Sequence, residues 1–321
     1  MTLYPLEFIP VMRDYLWGGR RLAETLDKPV AAGQTAAESW EVVDHGRDQS
    51  VVAAGPLAGK TLGELVQQSG DALLGRPAER FPLLLKYLDC HRDLSVQVHP
   101  DDAYAQQLDP PDLGKTEAWY IVDAQPGSKL YAGLREGVDR AALAAAMAAG
   151  RTDEVLHVIE PQPGDCVFIP AGTVHALGAG LLVAEIQQAS DTTFRLFDWN
   201  RVGPDGQPRQ LHIEQALDVS DYSRGPVRLQ EPHAAGDGWQ RLVQCDKFTL
   251  LRATGAGRFD VAATQGRPRF SILTVPQGTA EVQWRGGRLS LATGRSLLVP
   301  ASCGDYTVET TAEDTTVLRV A

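Results

Sequence analysis

Apolar residues along this chain recur mainly in short runs broken by Gly, Pro and Asp. That spacing predicts strands joined by turns. The runs are Glu41–Asp44, Pro82–Leu88, Leu94–His99, Trp119–Val122, Cys166–Ile169, Leu182–Gln187, Phe248–Arg252, Phe270–Pro276, Ala280–Trp284 and Ser296–Val299. Helical spacing is rarer. It occurs in Thr61–Gln68, in Asp101–Leu108 with two aspartates at its start, and in alanine-rich Val138–Ala149, which stops at Gly150. The pattern predicts a mainly β protein of barrels or sandwiches with small helical insertions, not alternating βαβ units.

The stretch Ser223–Asp237 (SRGPVRLQEPHAAGD) is polar and loses apolar periodicity, which predicts a boundary. The expected division is 1–225 and 238–321. A faint repeat spans it. Gly164–His175 reads GDCVFIPAGTVH, and Gly294–Asp305 reads GRSLLVPASCGD. Each is Gly, five residues, Pro, then small residues, and Asp305 stands where the first copy has His175. Two related β domains, only one of them carrying the ligand histidine and so a single site, are the expectation.

Composition narrows the function. In 321 residues, 43% are hydrophobic and 22% charged, an ordinary globular balance that argues against disorder. The formal net charge of -11 disfavours nucleic acid and anionic membrane as partners. No run approaches the roughly 18 apolar residues of a membrane span. MTLYPLEFIP lacks a basic and then apolar leader, so a cytoplasmic protein is expected. Cys90, Cys166, Cys245 and Cys303 form no CxxC pair and are expected to be free thiols.

Candidate chemistry starts at Leu94–His99, LSVQVH. Strand alternation would bury Leu94, Val96 and Val98 and present Ser95, Gln97 and His99 to the opposite, concave side. Imidazole and amide oxygen are both competent metal ligands. Gly164-x5-Pro170-x-Gly172-x2-His175 is similar to the second metal-binding motif of the cupin superfamily, although the customary Asn after the histidine is absent. The first cupin motif, HxH with a nearby Glu, appears as Gln97-Val-His99. Its carboxylate, Glu117, is displaced beyond an insertion from Pro100 to Gly114. Gln97, His99, Glu117 and His175 then suit zinc, one per chain, or another divalent ion. The resemblance implies a double cupin, with a metal-binding barrel followed by a degenerate one.

LSVQVHPDD, GKTEAWY, IPAGTVHAL and AEIQQASDTTFRLFDWNR, with LWGG and AESWEV upstream, resemble the signature segments of type I mannose-6-phosphate isomerases in their short bacterial form. That resemblance implies the four metal ligands above. It also implies active-site roles for Glu185, Arg195 and Lys115, and phosphate-binding positions at Ser95 and Arg201. The implied reaction moves a proton between C1 and C2 of a sugar phosphate through an enediolate. Arg195 suits stabilisation of the developing charge. Glu185, Lys115 and a metal-bound water all stand as the base. Alternatives are another aldose, phosphorylated or not, a sugar-binding cupin without catalysis, and an iron oxygenase. Gln97 and the Lys115, Glu185 and Arg195 set count against the oxygenase. His45, His91, His157, His212 and His233 lack ligand spacing, and Trp17, Trp40 and Trp119 read as core aromatics. Oligomeric state is not legible.

Overall fold

The structure is a computed structural model that describes residues 2–202, 206–263 and 269–321. Its strand pairings are antiparallel. A six-stranded sheet runs in the spatial order Cys166–Ile169, Glu117–Ala124, Leu181–Gln188, Leu83–Cys90, Glu38–Val42 and Val11–Arg13. A five-stranded sheet orders Leu156–Ile159, Leu130–Leu134, His175–Leu177, Val96–Val98 and Phe194–Phe197. Trp17, Leu88, Trp119 and Val183 pack with Leu130 and Leu177 between these two sheets.

The second half repeats the arrangement. A six-stranded sheet includes Thr249–Thr254, Thr316–Val320, Ser271–Gln277 and Ser296–Val299, and a four-stranded sheet runs from Gly257–Val261 to Gly287–Ala292. Leu251, Leu273, Val282 and Val308 fill the space between them. The two large sheets lie against each other through Leu83, Leu85 and Tyr87 on one side and Ile272, Leu298 and Leu318 on the other. The helices Arg21–Leu26 and Leu62–Leu74 add Leu22, Leu26, Leu65 and Leu73 to this core. Leu83–Cys90 is therefore buried on both faces, which is why its sequence shows no alternation. Among the described residues, no helix is long and apolar enough to cross a membrane.

Local signals placed elements better than their ends. Leu62–Leu74 begins at a capping box between Thr61 and Glu64 and runs six residues past the expected Gln68 before the cap at Gly75, φ 76°. The Asp101–Leu108 expectation shrinks to the single turn Asp102–Ala105, capped by Asp101. Leu94 departs from strict alternation. The strand starts at Val96, so Leu94 joins Trp17 and Trp119 in the barrel interior while Val96 and Val98 pack outward. The Ser223–Asp237 stretch is not a free linker, because Val227 and Gln230 donate backbone hydrogen bonds to Ala132 and Cys166.

The faint repeat is a repeat of backbone. Gly164 and Gly294 both take left-handed conformations, φ 94° and 78°, ahead of the strands Cys166–Ile169 and Ser296–Val299. The copies diverge after their prolines. His175 opens a strand, whereas Ala301–Cys303 coils into a short 3-10 turn and the Asp305 carboxylate accepts from the Ala263 amide at 2.6 Å. All four cysteines are free.

Candidate active site

Strand register builds the site as two rows. Across the five-stranded sheet, His175 lies opposite Gln97, and Gln97 opposite Arg195. Across the six-stranded sheet, Trp119 lies opposite Glu185, Glu185 opposite Lys86, and Lys86 opposite Trp40. Apart from Trp40, which packs with Val43 and Leu84, both rows line a cavity of about 300 Å³ in the first barrel.

At its base, single ligand atoms of His99, Glu117 and His175 lie within 4.8 Å of one another, all buried. His175 Nε2 is 3.3 Å from Glu117 Oε1, and His99 Nε2 is 3.7 Å from Oε2. Each imidazole is oriented from behind: His99 Nδ1 meets the Thr192 carbonyl at 3.0 Å, and His175 Nδ1 meets the Thr173 carbonyl at 2.8 Å. A carbonyl only accepts, so Nδ1 carries the proton and both Nε2 lone pairs face the cluster. Burial pushes both imidazoles below the usual histidine range, His175 to about 4, so they are neutral. Among the described residues, neither Glu117 oxygen receives a hydrogen bond of ordinary geometry, although Lys115 Nζ is 3.0 Å away as an ion pair. Burial, then repulsion from Glu185, raises the Glu117 carboxyl. Two neutral imidazoles facing an under-coordinated buried carboxylate are an arrangement that a divalent cation satisfies. The Gln97 side-chain amide is 3.3 Å from His175 Nε2, and rotating it presents its oxygen to the same space.

Beside the cluster is a buried charge network. Glu185 faces Lys86 at 3.2 Å and Lys115 at 3.9 Å, and accepts from Trp119 Nε1 at 3.1 Å. Lys86 also lies 3.3 Å from Glu38, which accepts from Trp40 Nε1 at 2.5 Å. Burial opposes both charges. It is outweighed for Lys86 by Glu185 and Glu38, so its ammonium is held above the usual range, and for Glu185 by Lys86 and Lys115, so its carboxyl is held below. The site therefore presents a protonated Lys86 and an ionised Glu185, both buried, with Lys115 beside them.

The mouth is basic. Arg195 donates through Nε to Ser95 Oγ at 3.2 Å and through Nη1 to the Gln210 carbonyl. Its strand is held by a backbone N–H to His212 Nδ1. Arg209 also lines the cavity, fixed by two hydrogen bonds to Asp198 at 2.7 and 2.5 Å. Arg201, expected at the phosphate, is placed elsewhere: it binds Asp198 and the Asp93 carbonyl and does not line the cavity.

The structure thus brings Gln97, His99, Glu117, His175, Lys115, Glu185, Arg195 and Ser95 together. Sequence reasoning missed Lys86, Glu38 and Arg209. A signal existed for the first, a single lysine inside the apolar run LLLKYL. None existed for Arg209, which reaches the mouth from a segment without periodicity.

Two β barrels, with a His–Glu–His cluster at the floor of one of them, define a cupin-class protein. The family model "Phosphomannose isomerase type I, catalytic domain" matches residues 6–123. Mannose-6-phosphate isomerase ManA of Bacillus subtilis strain 168 is 34% identical, over 98% of this chain and 98% of its own length. The mannose-6-phosphate isomerase of Streptococcus mutans is 39% identical over 77% of this chain and 75% of its own. The crystal structure of the B. subtilis mannose 6-phosphate isomerase superposes with TM-score 0.89 at 30% identity, covering 99% of this chain and all of that one. The chain belongs to the type I mannose-6-phosphate isomerase family.

Proposed function

We propose that this enzyme interconverts mannose 6-phosphate and fructose 6-phosphate in the cytoplasm, with zinc as its metal. The observation that carries the reading is the buried His99–Glu117–His175 cluster beside a cavity lined by Lys86, Lys115, Glu185 and Arg195. Gln97, His99, Glu117 and His175 would hold the ion, which supplies Lewis-acid stabilisation of negative oxygen when bound.

The chain's own groups account for the rest. Ser95, Arg195 and Arg209 at the mouth bind the phosphate, which directs C1 and C2 inward. Glu185 is ionised, so it can take the C2 proton of the aldose and return it to C1 of the same molecule. The proton lost from O2 is replaced by one gained at O1, with Lys115 as the shuttle. No external oxidant or reductant enters the balance. Lys86 stays protonated and stabilises the enediolate. Trp119 holds the Glu185 carboxylate in place through its indole N–H. Arg195→Ala is expected to keep fold and metal content and to lose turnover of mannose 6-phosphate. An unchanged kcat/KM would remove Arg195 from this scheme.

A further inference from the structure

The second barrel carries an arginine where its core pattern calls for an aliphatic residue. In Thr316–Val320, Arg319 is paired laterally with Leu251 on one side and Leu273 on the other, and both leucines are buried in the barrel interior. Arg319 therefore projects toward the concave face, where a guanidinium is disfavoured without a counter-charge. Its Nε donates to Ser271 Oγ at 3.0 Å and Tyr306 OH at 3.1 Å, both neutral oxygens. Its Cζ lies 6.0 Å from the centre of the Trp239 ring. Among the described residues, no carboxylate pairs with it and neither Nη has a hydrogen-bond partner. Arg319, Ser271 and Tyr306 line a cavity of about 430 Å³ with an apolar wall of Leu251 and Val261; Arg269 and Ala321 also line it, and among the described residues no Asp or Glu does so.

The local chemistry is that of the first barrel's mouth, where Arg195 likewise donates through Nε to a serine, Ser95. A guanidinium fixed at Nε presents its outer N–H edge in one orientation, which matches a planar or tetrahedral oxyanion. We propose that the second barrel binds the oxyanion of a sugar-sized phosphomonoester or carboxylate. Arg319 is its anchor, with Tyr306 OH as a further donor and Leu251 and Val261 against the ligand's carbon chain. This site is separate from the metal cluster and does not depend on the reaction assigned to it.

The test is calorimetric titration of the full-length, metal-loaded protein with glucitol 6-phosphate, which has no carbonyl to isomerise. Inorganic phosphate and gluconate are titrated separately to distinguish phosphate from carboxylate. Two binding events are expected in the wild type. One should survive in Arg195→Ala, and that one should weaken at least tenfold in Arg319→Leu. Ser271→Ala, a milder change, should weaken the same event by a smaller factor while leaving kcat for isomerisation intact. Binding by gluconate alone would assign the site to carboxylates. A single glucitol 6-phosphate event that Arg195→Ala abolishes, together with no gluconate binding that Arg319→Leu weakens, or a second event indifferent to both Arg319→Leu and Ser271→Ala, would overturn the proposal.

Discussion

Replacing Lys86 by Met keeps the side-chain length and removes the charge that stands between two buried carboxylates. Lys86 lies 3.2 Å from Glu185 and 3.3 Å from Glu38, and is itself only 6% exposed. At an effective dielectric near 20, each contact is a Coulomb interaction of about 5 kcal/mol. Desolvation of all three groups already offsets much of that in the wild type. The relevant quantity is therefore the penalty of stranding a buried charge, about 3–5 kcal/mol. Lys115, at 3.9 Å, still shields Glu185, so the lower end is expected. Among the described residues, Glu38 then retains only the indole N–H of Trp40 as a side-chain partner. The second variant, Glu38→Gln, should cost less in the Lys86→Met background than alone, with a coupling of about 1 kcal/mol or more. Urea unfolding of chelated protein, followed by tryptophan fluorescence, measures both. A loss below about 1 kcal/mol for Lys86→Met would refute the reasoning, as would strict additivity in the double variant.

Other expectations follow from the same geometry. Arg209→Ala should raise KM for the sugar phosphate about tenfold or more and change kcat little, whereas Arg201→Ala should move KM far less; the reverse order would return the phosphate to Arg201. Asp198 fixes Arg209, so Asp198→Asn should also raise KM at neutral pH. Burial opposes the Asp198 charge, but Arg209 and Arg201 prevail and hold its carboxyl below the usual range. Its contribution to folding is therefore complete above the unfolded value of about 4 and fades as pH falls through the lower folded value; a wild-type protein whose acid unfolding matches that of Asp198→Asn would contradict this. Gly294→Ala should destabilise far more than Gly164→Ala in thermal unfolding. A Cβ at Gly294 would lie 2.0 Å from the Leu26 carbonyl oxygen, while at Gly164 the nearest atom is Arg252 Nη1 at 3.8 Å, leaving only the left-handed backbone penalty of about 1 kcal/mol.

Much of this architecture is written in strand-length apolar runs and in two glycine–proline punctuations. Gly164 and Gly294 are the clearest case, since both need a backbone that other residues avoid, so sequence alone could pair them. What followed the prolines was not legible. Whether Asp305 occupies a ligand position or braces a loop depends on the contact with Ala263, distant in sequence. In the site, residues on regular strands were recoverable from alternation and family likeness, as for Gln97 and His175. Leu94 was misplaced because alternation was extended beyond the strand's first residue. Lys86 was visible as a lone lysine in an apolar run but broke no alternation, and Glu38 escaped because its strand, too, is buried throughout. Arg209 escaped because its position is set by an ion pair with Asp198 and not by any element.

The central claim is tested most directly by interconversion of mannose 6-phosphate and fructose 6-phosphate by the purified protein, measured before chelation, after chelation, and after zinc is restored. The account predicts turnover that disappears with the chelator and returns with zinc in the wild type but not in His175→Ala. Turnover that persists in fully chelated protein, or its absence from protein with a filled metal site, would contradict it.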